Sequence, residues 1–208
     1  MVNFTAYLKI MIKIPSTAKA LIFDLDGTLA DTMQNHFQAW RRAVSPFGID
    51  FTAELFLSLT GMSRWATIEK LNELYNTSMN VQEVGKLKGE YFHEVSHLTK
   101  EIEVVANVVR QYFGVLPMAI GTGSTGGGAK QTLDITNLKQ YFDIVITSDD
   151  ITKPKPHPET FLKCAELMSV DPKDCLIFED GILGIQAAKT AGMQVIDIND
   201  YFKIEFKI

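Results

Sequence analysis

"VLPMAIGTGSTGGGAKQTLDITNLKQYFDIVIT", residues 115–147, sets an apolar run, a glycine-rich turn, a helical stretch and a second apolar run end to end. Two β-prone runs separated by a helix-length segment do not make a hairpin. The spacing predicts a parallel βαβ crossover. Within the turn, Gly121, Gly123 and Gly126 fit the G-x-G-x-x-G fingerprint of dinucleotide-binding folds, and Asp149 supplies an acidic residue after the next run. One reading is therefore a nucleotide-dependent oxidoreductase. The other is a backbone cradle for a transferring phosphoryl group, because both exploit N–H groups at a helix N-terminus.

The alternation extends on both sides. Helix "EIEVVANVVRQYF" precedes this stretch, and helix "PETFLKCAELMS", strand "DCLIF", helix "GILGIQAAKTAG" and strand "QVIDI" follow it. Far upstream, "KALIFDLD" (19–26) is a nearly continuous apolar run of the kind buried on both faces of a sheet. Together these predict an α/β fold: a doubly wound, Rossmann-like parallel-sheet core.

Between them the period becomes helical. Met33, Phe37, Trp40, Val44 and Phe47 form one stripe, closed by Pro46 and Gly48. Leu55, Phe56 and Leu59 form a second, and Ile68, Leu71 and Tyr75 a third behind Ser63 as N-cap. Val81, Val84, Leu87, Tyr91, Val95 and Leu98 form the fourth. The expected organisation is an N-terminal extension (1–18, its first ten residues loose), an α/β core (19–32 and 100–208) and an inserted all-helical unit (33–99).

With 208 residues, 46% hydrophobic and 22% charged, the chain can bury an ample core. A net charge of −5 and a pI near 5.4 argue against a nucleic-acid partner. Cys164 and Cys175 are the only cysteines, which points away from a disulfide scaffold and toward a reduced, cytoplasmic compartment. Residues 1–18 hold no apolar stretch long enough for a signal segment or membrane span. A monomer with no membrane partner is expected.

In an open parallel sheet, ligands bind beyond the carboxyl ends of the strands. The predicted ends carry Asp24, Asp26 and Thr28; Gly121 to Ser124; Lys153 and Lys155 after "DIVIT"; and Glu179 and Asp180. Each has an ordinary explanation: a polar turn with Asp31 or Thr32 capping a helix, a proline-rich connector, an acidic first turn. Their convergence on one edge favours a site. "DLDGT" is not a calcium loop, since counting from Asp24 puts Leu29 and Asn35 where glycine and glutamate are required. "HEVSH" (93–97) matches a zinc-protease pattern, but its histidines fall off the apolar stripe and no third ligand follows.

"FDLDGTLADT", "GTGS", "KPKPHPETF" and "FEDGILGIQAAKTAGM" resemble the four motifs of the haloacid dehalogenase-like hydrolases, a resemblance spanning about residues 19–198. The helical insertion resembles the type-one cap of the β-phosphoglucomutase-like branch. Within that branch the chain looks most similar to phosphatases of fructose 1-phosphate or 6-phosphogluconate. The resemblance implies a Mg²⁺-dependent phosphatase acting on a small phosphorylated metabolite, a sugar phosphate, through an aspartyl-phosphate. Asp24 would be the nucleophile. Asp26 would be the general acid and base, its proton held tightly by nearby negative charge. Thr122, Gly123 and Lys155 (rather than Lys153) would hold the phosphoryl group, and Thr28 would support the turn. Mg²⁺ would be bound by Asp24, Asp180 and the Asp26 carbonyl, with Glu179 positioning Asp180 or a bound water. From the cap, His36, Arg64 and Lys88 would meet the substrate. The alternative on the same fold is a β-phosphoglucomutase-type mutase, whose matching turn carries a lysine where this chain has Thr60.

Overall fold

The computed structural model describes residues 11–203 and 206. The short apolar runs become strands: β1 (Ala20–Phe23), β2 (Met118–Gly121), β3 (Ile144–Ile146), β4 (Cys175–Glu179) and β5 (Gln194–Asp197). All pair in parallel in the order β3-β2-β1-β4-β5, with Ile22 opposite both Ala119 and Ile177. The doubly wound α/β core is the observed fold.

Period-two alternation sends successive β1 side chains to opposite layers. Leu21 and Phe23 pack with Val105 and Val109 of α5 (Glu103–Tyr112) and Leu133 of α6 (Gly126–Ile135). Ala20 and Ile22 pack with Phe161 and Cys164 of α7 (Glu159–Met168) and Ala187 of α8 (Ile182–Thr190). The chain leaves β1 toward β2 on one side and returns to β4 on the other. The strand order therefore reverses at β1, and the crevice of a doubly wound sheet opens there.

The chain between β1 and β2 forms α1 (Met33–Val44), α2 (Ala53–Ser58), α3 (Arg64–Tyr75) and α4 (Val81–Val95). Phe37, Trp40, Phe56, Ile68, Leu71 and Val84 give this insertion its own apolar centre, against which Phe206 also packs, 5.4 Å from the Phe37 ring. Ser63 caps α3 by accepting the Ala66 N–H. The two linkers run side by side: the Asp31 N–H donates to Lys100 O (2.9 Å), the Ile102 N–H to Leu29 O (2.8 Å), and Ala30 bridges Glu101 antiparallel.

Several expectations shift. The most buried positions of α4 are Val84, Gly85, Lys88 and Phe92; of the expected stripe Val84 is buried and Val81 and Tyr91 pack against the same core, but Leu98 is 62% exposed. Two glycines thin the apolar pattern, and the closing 3-10 turn Ser96–Leu98 breaks its period. Phe47 sits in another 3-10 turn and is 40% exposed. Ile12 and Ala18 are buried in the sheet's first apolar layer, so part of the expected extension belongs to the core. The decapeptide before Met11 lies outside the described residues. Among the described residues no helix is long and apolar enough to cross a membrane.

Candidate active site

Asp24 is the first residue beyond β1, its N–H bound to Phe178 O at 2.9 Å. The chain then turns through Gly27, whose φ of +92° is left-handed and whose missing Cβ would stand 2.4 Å from Asp180 Oδ2. The turn thus brings strand ends β1 and β4 together, which a side chain at position 27 would prevent. Thr28 Oγ1 donates to Asp180 Oδ1 (2.9 Å), and Asn199 Nδ2 donates to the Asp180 carbonyl (2.7 Å). Lys155 Nζ donates to Asp24 Oδ1 (2.7 Å) and Glu179 Oε2 (2.6 Å). Glu179 Oε1 accepts the N–H groups of Asp180 and Gly181. Lys153 is exposed and takes no part.

Asp24, Glu179, Asp180 and Lys155 are all buried. Burial, then the charge of Glu179, pushes the Asp24 carboxyl up. Asp180 is pushed up by burial, Glu179 and Asp24. Burial would strip the Lys155 proton, but Asp24 and Glu179 outweigh it and hold the ammonium charged. Three carboxyl groups crowd one ammonium, and a divalent cation there would displace the protons that burial and mutual repulsion hold on Asp24 and Asp180. Carboxylate oxygens of Asp24, Glu179 and Asp180 lie within 4.8 Å of one another. An all-oxygen donor set of this kind fits Mg²⁺.

Asp26 has a different environment. Its Oδ1 accepts from Thr32 Oγ1 (2.8 Å) and its Oδ2 from Ser124 Oγ (2.6 Å). His36 Nε2 stands 3.0 Å from Oδ1, a close charge contact without the direction of a good hydrogen bond. Burial raises the Asp26 carboxyl, but the nearby His36 ring and the bonds from Ser124 and Thr32 prevail and hold it below the usual carboxylate range. The expectation of a tightly held proton is therefore corrected for this arrangement. The Ser124 hydroxyl, from the strand end already placed at the crevice, and a Thr32 hydroxyl that makes no helix cap stabilise the anion.

From the insertion, His36 Nδ1 meets Lys88 Nζ at 2.5 Å, and its ring stacks on Phe92 at 4.1 Å. Burial, then Lys88, lowers the His36 pKa. Burial, then Arg64, brings Lys88 down to about 7. Between about 7 and 10.5 the folded chain therefore binds less of a proton at Lys88 than the unfolded chain. Its unfolding free energy should gain up to ~1.4 kcal/mol per pH unit from this residue as pH rises through that window. Lys88→Met is expected to remove that gain, seen as a flatter difference between urea unfolding curves at pH 7 and pH 9. An unchanged slope would show Lys88 to be solvated.

Thr122 is buried, its Oγ1 accepting the Ser124 N–H (3.0 Å). A Cβ on Gly123 would lie 3.3 Å from Met62 O, so the loop between α2 and α3 rests directly on the glycine-rich turn. That turn is not arranged for a pyrophosphate: Asp149 Oδ2 takes the Gly126 N–H (2.8 Å) and Thr125 Oγ1 the Gly128 N–H (3.4 Å). The "HEVSH" histidines are exposed, His93 beside Gln131 and His97 on the Glu94 carbonyl. One cleft of about 90 Å³ collects Asp24, Asp26, Thr122, Gly123, Glu179 and Asp180 from the sheet edge with His36, Arg64 and Lys88 from the insertion. Lys155 lies beneath it, behind Asp24.

Comparison with known proteins agrees with this geometry. Fructose-1-phosphate phosphatase YqaB of Escherichia coli (strain K12) is 36% identical over 178 residues, covering 86% of this chain and 95% of its own. β-Phosphoglucomutase of Bacillus subtilis (strain 168) is 31% identical over 188 residues, covering 86% and 83%. The crystal structure of β-phosphoglucomutase from Clostridium difficile superposes with a TM-score of 0.75 at 26% identity, covering 86% of this chain and 84% of that one. The sequence model of the haloacid dehalogenase-like hydrolases matches residues 21–198, from the first strand through the last, and the chain belongs to that family.

Proposed function

We propose that the protein is a Mg²⁺-dependent phosphatase that hydrolyses a small sugar phosphate, of fructose 1-phosphate or 6-phosphogluconate type, by way of an aspartyl-phosphate on Asp24. The observation that carries this reading is the pair of dissimilar carboxylates at the end of β1. Asp24 is fixed by Lys155 within the acidic cluster, while Asp26 is held by the Ser124 and Thr32 hydroxyls beside His36.

Asp24 Oδ is the attacking atom, oriented by the Lys155 ammonium, which also neutralises charge arriving with the phosphoryl group. Asp24, Asp180 and the Asp26 carbonyl would hold Mg²⁺, which would supply the positive charge that a carboxylate needs to approach a phosphate dianion. Glu179 is a positioning residue, its oxygens engaged by Lys155 and two backbone amides. Thr122 and the Gly123 amide face the transferring group. Asp26 takes up a proton when the charge of the arriving phosphate raises its affinity for one, gives it to the departing alcohol, and as the resulting anion draws a proton from the water that hydrolyses the aspartyl-phosphate. The helical insertion acts as a cap that excludes bulk water, hinged at the paired linkers.

Phosphate release from fructose 1-phosphate, 6-phosphogluconate and β-glucose 1-phosphate tests this directly. Turnover is expected with Mg²⁺ and absent in chelator. Mg²⁺ at one hundred times its dissociation constant is expected to stabilise the fold by about 2.7 kcal/mol. A melting midpoint indifferent to Mg²⁺ would remove the metal from the reading. The mutase reading predicts instead interconversion of β-glucose 1-phosphate with a bisphosphate primer. Thr60, whose hydroxyl is turned back onto Leu57 O, offers no cation for a bisphosphate.

A further inference from the structure

The chain leaves β4 through Asp180 and enters α8 by way of Gly181, which has no side chain to cap the helix. The Gly181 carbonyl accepts the Ile185 N–H (2.9 Å), the bond that opens the helix. The Asp180 carbonyl, one residue earlier, therefore has no helix amide to accept. Asp180 is buried, and an unpaired carbonyl there would be costly. Among the described residues its donor is the Asn199 side chain, 19 positions on, with Nδ2 2.7 Å from Asp180 O.

Asn199 is itself held. It lies in the 3-10 turn Ile198–Asp200 after β5, and Asp197 Oδ1 accepts both its backbone N–H (2.9 Å) and its Nδ2 (2.8 Å). The partners of the amide nitrogen, a carboxylate and a carbonyl, only accept, which fixes the end of the side chain that carries it. β4 and β5 pair with Glu179 opposite Asp197, so the turn is registered against the strand end that bears the acidic pair. Ile198, wholly buried in the sheet's first apolar layer, anchors the turn. Asp180 is thus gripped at three points: Glu179 Oε1 takes its N–H, Thr28 Oγ1 donates to its carboxylate, and Asn199 holds its carbonyl. Asn199 does not line the cleft.

We propose that Asn199 is a positioning residue of the metal site: through the Asp180 main chain it holds the Asp180 carboxyl group in place for Mg²⁺. The proposal rests on the phosphatase reading above. Groups that hold a ligand without touching the metal set its orientation, and their loss weakens metal binding by about ten- to a hundredfold.

The Mg²⁺ dissociation constant of the substrate-free protein, read from the melting midpoint as Mg²⁺ is raised, tests this without turnover. Asn199→Leu keeps a similar volume and loses the side-chain donors, and it is expected to raise that constant about ten- to a hundredfold. Asn199→Asp keeps the shape but sets an acceptor against the Asp180 carbonyl and Asp197. It too should weaken Mg²⁺ binding, although it adds a negative charge. In both variants half-maximal phosphate release should move to correspondingly higher Mg²⁺. Tighter Mg²⁺ binding by Asn199→Asp would show that charge rather than placement governs the site and would overturn the proposal. So would an unchanged dissociation constant in either folded variant, whatever its melting midpoint in chelator; Asp24-dependent hydrolysis would then still stand. A melting midpoint of the unaltered protein indifferent to Mg²⁺ would overturn the metal reading, and this proposal with it.

Discussion

Asp24→Asn is expected to lower kcat for phosphate release by about ten-thousand-fold or more, the scale of losing a covalent nucleophile. The amide still accepts from Lys155, so the fold should survive. It should even gain, because one of three mutually repelling buried carboxylates has been neutralised. Circular dichroism and urea unfolding in chelator, set beside turnover, would show a protein that is inactive yet unfolds at a higher urea concentration. Retention of more than about a hundredth of the activity would mean that phosphorus is attacked by some group other than Asp24.

Lys155→Met should damage both properties at once. The Lys155 ammonium is 2% exposed and is the cation bonded to Asp24 and Glu179. Methionine fills similar volume but leaves those carboxylates, and neighbouring Asp180, without a compensating charge. Removing one member of a buried ion pair costs about 3–5 kcal/mol, and that loss is expected in chelator-treated protein. Saturating Mg²⁺ should return part of it by supplying positive charge to the same carboxylates, although kcat stays low because Asp24 is no longer oriented. Urea unfolding with and without Mg²⁺ reads both effects. A loss below about 1 kcal/mol in chelator would show that water, not Lys155, compensates the cluster. Lys155→Arg is not expected to rescue, since a planar fork cannot replace a point charge in so closed a site.

The parallel core and the sheet edge were legible because each is written in local pattern. The runs "ALIF", "MAIG" and "CLIFE" are apolar on both faces, and each is followed within three residues by an ionisable or hydroxyl group. Lys155 stood out from Lys153 only through the K-P-H-P resemblance; burial separates them in the structure. What pattern could not supply was direction. Tyr91 and Phe92 are adjacent aromatics about 100° apart on α4, and with glycines at 85 and 89 the period did not choose between them. Ser124 and Thr32 read as turn and cap residues, because hydroxyls serve equally well there, and their bonds to Asp26 span a crossing of elements that the sequence does not encode locally. Asp149 was read as half of a nucleotide fingerprint. Its partner is a backbone amide of the same turn.

The paired linkers at Leu29–Asp31 and Lys100–Ile102 also bear on how the chain could have been assembled and how it folds. Because the two crossings lie one strand spacing apart, the sheet meets the whole insertion as a loop whose ends are already joined. Loop-closure entropy rises only by about 0.6 kcal/mol for each doubling of length, so β1 and β2 find each other at nearly the same cost whether the excursion is a tight turn or four helices. Within the excursion the most extensive pairing is α1 with α4, its first and last helices, so packing the insertion itself draws the ends of the excursion together and shortens the effective separation of the strands. Such a junction lets one catalytic sheet carry interchangeable tops, each setting its own choice of leaving group without disturbing the carboxylates beneath.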